Sequence, residues 1–320
     1  MNRFFKISCA ILTLITGILI TGCTQLAVVP QAPLPATMTP FQPQPPTATL
    51  TSTPTATATA TSTPFPTLPP TEMPSEPEVP ADTQEPAAAD PVSVSPEEVG
   101  SGAVTVPILL YHHVSDTIQS QYSVTTAALE SQMNWLYENG YQTITISDLA
   151  DLIREGGTVP GRPVIITFDD GYLDLYENAY PILSHFGFAG TAFIIGDTVD
   201  TRGNLSSEQL QEMISQGWEI GSHSMHHTDL TLGLGWEEEI VFSKSYLEDK
   251  LGVEICTFAY PYGEADSSVL DYTYSAGYTS AVGLGSSVTH DLSTLYFLDR
   301  KEVKSWYTLD FFEEFMPWSG

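Results

Sequence analysis

Between Val104 and Val303 the sequence alternates short apolar runs with stretches of helical spacing, and this alternation is the strongest constraint on its fold. Val106 to Tyr111, Tyr141 to Ile146, Val164 to Ile166, Thr191 to Ile195 and Trp218 to Gly221 read as strands, as do Glu254 to Tyr260, Thr279 to Leu284 and Tyr296 to Val303. In each, β-branched or aromatic residues stand together between turn signals. Thr125 to Asn139 carries Leu129, Met133 and Leu136 at helical spacing and closes at Gly140. Ser147 is expected to cap a short helix over Asp148 to Arg154, with Gly156 and Gly157 ending it. Tyr172 to Phe186, interrupted by Pro181, then Ser207 to Ser215, Trp236 to Leu251 and Leu309 to Met316 complete the helical stretches. Strands alternating with helices imply parallel pairing with the helices as a cover, and about seven or eight units favour a barrel over an open sheet. In that architecture the C-terminal ends of the strands converge on one mouth.

Chemistry-bearing residues stand at those ends. Asp169 and Asp170 follow the run Val164 to Ile166, and two adjacent carboxylates in a shielded place ask for a cation or a shared proton. The alternative is ordinary turn or helix-capping chemistry, since Asp-Asp-Gly serves both. A second cluster, His223-Ser224-Met225-His226-His227, follows the strand ending at Gly221, and His112-His113 follow the first strand. Neutral imidazoles with one carboxylate make a three-ligand site for zinc or a similar divalent ion, with a position left for water.

Composition separates this region from what precedes it. Eighteen of the 24 prolines fall between Pro30 and Pro96, and residues 24–103 hold no Lys or Arg. Such a stretch has no apolar periodicity with which to bury a core, so an extended tether is expected, reaching on the order of 200 Å. Ahead of it, Arg3 and Lys6 precede an apolar segment from Ile7 to Ile20, which is the pattern of an export signal over residues 1–23. Ile20-Thr21-Gly22-Cys23 resembles the lipobox of bacterial lipoproteins, which implies lipidation of Cys23 and a mature chain starting there. The expected location is therefore outside the cell, lipid-anchored to its membrane, with the catalytic domain (104–320) facing outward. With Cys9 in the signal and Cys23 lipidated, Cys256 is left alone and reads as a core residue without chemistry. A net charge of −29 excludes a basic nucleic-acid or polyanion-binding face. No protein partner is expected, and contact with the membrane is expected only through the N-terminal lipid.

The ensemble resembles the polysaccharide deacetylases with a NodB-homology domain, carbohydrate esterase family four. The resemblance rests on TFDDGY at 167–172, HSMHH at 223–227 and FAYPYG at 258–263. YHHV at 111–114 brings it nearest to the branch that acts on poly-β-1,6-N-acetylglucosamine. It implies a deformed (β/α) barrel of about seven strands, with the active site at the strand C-terminal ends. It also implies a metal-dependent hydrolase that removes N-acetyl groups from an acetylated glucosamine polysaccharide; chitin oligomers, peptidoglycan, or a non-catalytic binding module on the same fold are the alternatives. Asp169 would be the general base, and Asp170, His223 and His227 the metal ligands, with His226 replacing His227 if the turn is tighter. Zinc is the expected ion, with cobalt, nickel or iron as alternatives.

His112 would be the general acid, against the alternative of a core histidine bonded to backbone, whereas His113 should point the other way along its strand. Pro261 and Tyr262 would shape the oxyanion site, and Tyr262 and Trp306 are candidate sugar contacts. One departure stands out: the family's Arg two residues before the proline is Ala259 here. Arg300, in a late strand, is the candidate substitute for orienting Asp169, an ordinary surface Arg being the alternative. His185 and His290, away from the motifs, read as surface residues.

Overall fold

The computed structural model describes residues 91–318. The signal segment 1–23 with Cys23, and residues 24–90 of the expected tether, lie outside them. Seven strands form the centre: β1 (Ile108–Tyr111), β2 (Pro163–Phe168), β3 (Thr191–Ile194), β4 (Glu219–Ser222), β5 (Thr257–Ala259), β6 (Ser280–Leu284) and β7 (Leu298–Glu302). Each is parallel to the next in chain order, and β1 pairs with both β2 and β7, so the sheet closes on itself as the sequence led us to expect. The ring is uneven, because β4 and β5 meet at one register position only, Ser222 against Phe258.

Period-two alternation decides which side chains face which core. On β2, Val164, Ile166 and Phe168 join the large cluster under the outer helices, whereas Ile165 joins the smaller cluster that fills the barrel. Ile108, Phe193, Ala259, Val282 and Leu298 share that interior. The outer helices include α1 (Thr126–Glu138), α3 (Tyr180–His185), α4 (Ser207–Ser215), α5 (Ser243–Leu251), α6 (Ser267–Ser275) and α7 (Leu309–Glu313).

The remaining helix, α2 (Ile146–Glu155), has a different task. Its buried residues Ile146, Leu149, Ala150 and Ile153 pack into the barrel-interior cluster, so it stops the end of the barrel where the strands begin. Here local expectation fails. Thr145 is the N-cap, in a reciprocal capping box with Asp148, while the Ser147 hydroxyl donates instead to Glu219 Oε1 at 2.7 Å. Tyr141 to Ile146 supplies only a two-residue strand, Gln142–Thr143, because Ile146 already belongs to this helix.

Two further expectations are corrected. Residues 91–103, assigned by composition to the tether, lie on the domain: Glu97–Val99 pairs antiparallel with Gly157–Val159, and Val92 N–H donates to Glu138 O at 3.1 Å. Backbone hydrogen bonds hold this arm, so an apolar run is not needed to dock it. Gly140, at φ 71°, makes room for it, since a Cβ there would run into the Val92 carbonyl. His290 is not a surface residue. It is 1% exposed, its Nε2 lies 3.1 Å from Val106 O, and burial holds its pKa below the usual histidine range. His185 is exposed as expected.

Candidate active site

The inward-facing rows of four strands continue past the strand ends and deliver the site. Counting by twos, Ile108 and Leu110 lead to His112, Ile165 and Thr167 to Asp169, Glu219 and Gly221 to His223, and Leu298 to Arg300 and Glu302. A cavity of about 330 Å³ opens at this mouth, lined by His112, Asp169, Asp170, His223, His227, Tyr262, Arg300 and Glu302 among others. A larger cavity of about 520 Å³, beside the N-terminal arm, is lined by no His, Asp, Glu or Cys.

Asp170 leaves the strand direction at φ 76°, a left-handed backbone that Asp tolerates better than most residues. Its Oδ1 lies 3.5 Å from His223 Nε2 and 3.7 Å from His227 Nε2, and the three donor atoms all fall within 4.8 Å of one another. Tetrahedral zinc with bonds of about 2.0–2.1 Å holds its ligand atoms about 3.3 Å apart, so this donor set fits a small divalent ion with little movement. His223 is prepared for such a role. A carbonyl can only accept, so the 2.9 Å contact from His223 Nδ1 to Ala259 O places the proton on Nδ1 and the lone pair on Nε2, toward Asp170. Burial, the dominant influence, keeps its pKa low against the pull of Asp169 and Asp170. His226 does not enter the cluster; its Nδ1 lies 3.0 Å from Glu239 Oε1.

Asp169 stands beside this group, 2% exposed, with Oδ2 3.7 Å from His223 Nε2. Arg300, 1% exposed, grips it with both arms: Nη1 donates to Oδ1 at 2.7 Å and Nη2 to Oδ2 at 2.8 Å. Arg300 is fixed in turn by Nε to Gly283 O at 3.2 Å and Nη1 to Thr167 Oγ1 at 3.2 Å. Burial alone would push the Asp169 carboxyl up, but Arg300 and then His223 bring it down to about 2. Ala259 can offer this carboxylate no guanidinium, and Arg300 supplies one from β7.

His112 lines the cavity with Nδ1 3.8 Å from Glu302 Oε1, and that nitrogen is buried with no hydrogen-bond partner among the described residues. Glu302 also pairs with Lys304, whose Nζ sits 4.1 Å from the centre of the Tyr122 ring. Sequence reasoning missed Glu302 and Tyr122. The signal for Glu302 was its place two residues after Arg300, on the same inward row. His113 points away, its Nδ1 2.8 Å from Asp174 Oδ2 and its ring stacked 3.8 Å from Tyr172.

Pro261 is buried in the turn Pro261–Gly263, while Tyr262, at φ 62° and 60% exposed, stands at the rim with its hydroxyl 3.4 Å from His227 O. Trp306 is 62% exposed and does not line the cavity, so the structure does not bring it to the site.

Comparison with known proteins places the sequence and the fold among relatives. The polysaccharide deacetylase family profile matches residues 156–281. The chain is 31% identical over 201 residues to YxkH of Bacillus subtilis (strain 168), which bears a polysaccharide deacetylase name; the match covers 62% of this chain and 71% of that one. It is 29% identical over 228 residues to the poly-β-1,6-N-acetyl-D-glucosamine N-deacetylase of Staphylococcus aureus (strain MRSA252), covering 66% and 77% respectively. The crystal structure of a polysaccharide deacetylase from Bacillus cereus aligns with a TM-score of 0.60 at 28% identity, covering 67% of this chain and 69% of that one.

Proposed function

The chain belongs to the polysaccharide deacetylase family, and from that premise we propose that it hydrolyses the N-acetyl groups of an N-acetylglucosamine polymer, poly-β-1,6-N-acetylglucosamine first. The observation that supports this reading best is the convergence of Asp170, His223 and His227 beside a carboxylate clamped by Arg300. A divalent ion held by those three residues, zinc in the first instance, would acidify a water and polarise the acyl oxygen of the substrate. Asp169 accepts the proton of the attacking water, because Arg300 keeps it ionised and fixes where its oxygens point. His112 donates a proton to the departing nitrogen, so that a neutral amine leaves in place of a strongly basic amide anion. The turn Pro261–Gly263 presents the Tyr262 backbone to the developing oxyanion. One C–O bond forms, the C–N bond breaks, and acetate and a glucosamine unit leave.

The preference for the β-1,6-linked polymer draws on the YHHV segment and on the Staphylococcus aureus relative. The net charge of −29 suits a neutral polymer and disfavours a polyanionic one. Acetate release by the full chain from β-1,6-linked, chitin-type and peptidoglycan substrates tests the proposal, with and without chelator and with zinc restored. Release from the β-1,6 polymer that chelation abolishes and zinc restores is expected. Release from chitin or peptidoglycan alone would reassign the substrate, and binding without any release would leave a glycan-binding module. The signal pattern of residues 1–23 supports an exported, lipid-anchored enzyme, and Cys23→Ser is expected to free the protein from membranes; continued membrane retention would reject the anchor.

A further inference from the structure

Between His223 and His227 the chain makes a tight turn in which Ser224 and His227 both adopt left-handed backbone, φ 65° and 58°. Residues with a Cβ do not hold that conformation unaided, so the turn must be fixed by its surroundings. What fixes it comes from the helical segment that follows. Glu239, 4% exposed and standing in the wide helical turn Glu237–Phe242, directs its carboxylate back into the loop. Oε2 accepts from Met225 N at 3.1 Å and from His226 N at 2.9 Å, and Oε1 faces His226 Nδ1 at 3.0 Å. Beside it, the Ser224 hydroxyl oxygen accepts from His227 N at 2.8 Å. A single buried carboxylate is therefore joined to Met225 and His226, the two residues at the middle of the turn.

The same segment holds the other end of the turn. Ser243 Oγ donates to Glu239 O at 2.7 Å and accepts from Ser222 Oγ at 2.9 Å, and Ser222 directly precedes His223. A carboxylate shut away from water is costly unless its oxygens are filled, and here the filling is done by the loop that carries two of the three proposed ligands.

We infer that Glu239 is a positioning residue for metal binding: it sets the His223–His227 turn so that both imidazoles meet Asp170, and it does so through the loop backbone rather than through the His226 ring. The inference rests on the metal-site reading above. Partners of this outer kind typically change metal affinity by about 10- to 100-fold when removed.

The test is zinc affinity of the full chain, measured by competition with a chromophoric chelator, alongside circular dichroism and melting of the zinc-free protein. Glu239→Ala should bind zinc about 10- to 100-fold more weakly, with turnover recovering as zinc is raised, and Glu239→Gln should fall between it and the parent. Ser224→Ala should weaken zinc in the same direction by less, while His226→Ala, which leaves the backbone donors in place, should stay near the parent. Parent-like affinity in Glu239→Ala, or a loss in His226→Ala equal to that in Glu239→Ala, overturns the inference. If Glu239→Ala does not fold, Glu239→Gln decides: weakened zinc supports the inference and unchanged zinc overturns it. A parent chain that binds no zinc would instead refute the metal-site reading.

Discussion

The barrel buries a carboxylate near each end, and the two are treated oppositely. At the mouth, Asp169 meets a guanidinium on both oxygens. At the far end, Glu219 of β4 is half-buried as a residue, with its carboxylate among neutral groups: the hydroxyls of Ser147, Thr191 and Thr257 and the backbone N–H of Ser147. Burial acts on both in the same direction. For Asp169 the charge of Arg300 outweighs it and the pKa drops to about 2; for Glu219 the hydroxyls do not outweigh it and the pKa is raised. One barrel thus supplies a carboxylate held ionised at its mouth, and another that ties the plug helix α2 to strands β3, β4 and β5.

The sharpest way to break this contrast is to neutralise the mouth. Asp169→Asn should lower kcat by roughly 100- to 10,000-fold, since general-base catalysis is typically of that size. Zinc affinity should change far less, because Asp169 is not among the three donors. Equal losses in kcat and zinc binding, measured together, would make Asp169 a ligand and not a base.

Next in size is the guanidinium. Arg300→Ala strands a buried charge, a change that commonly costs about 3–5 kcal/mol, and urea unfolding should report a loss of that order. Turnover should fall by about 100-fold with KM little altered, and Arg300→Lys should recover part of it, since an ammonium keeps the charge but not the two-armed grip. Parent-like turnover would remove Arg300 from the mechanism.

The smallest effect lies at the other end. A folded pKa raised above the unfolded value contributes stability that is complete below about pH 4.5 and is lost as pH rises through the raised value. At neutral pH the Glu219 charge is therefore a cost. Relative to the parent, Glu219→Gln should be more favourable at pH 7.5 than at pH 4 in paired urea unfolding curves. A pH-independent difference would mean that the Glu219 carboxyl titrates as it does in the unfolded chain. The Asp169 contribution runs the other way: it is present above pH 3.8 and lost as pH falls through about 2.

Alternation made the mouth legible from the sequence. Once β2 is read as a strand, period two sends Asp169 inward after Ile165 and Thr167, and the same counting separates His112 from His113. Ligand chemistry brought the two aspartates and the histidine clusters together, and the family resemblance singled out Asp170, His223 and His227 among them. What could not be read depends on contacts between distant segments. Nothing near Glu239 announces that its carboxylate turns back 13 or 14 residues to His226 and Met225. Glu219 meets Ser147 across 72 residues, so no local pattern could show why Thr145 caps α2 and leaves the Ser147 hydroxyl free to act elsewhere. The arm at 91–103 was hidden for a simpler reason: main-chain pairing leaves little trace in composition.

The grip of Arg300 on Asp169 spans 131 residues, and β7 is also the strand that shuts the ring against β1. During synthesis, then, the aspartate waits without its counter-charge until a strand 131 residues downstream has emerged. Closing the seam and supplying the counter-charge are therefore one event, completed by the same strand.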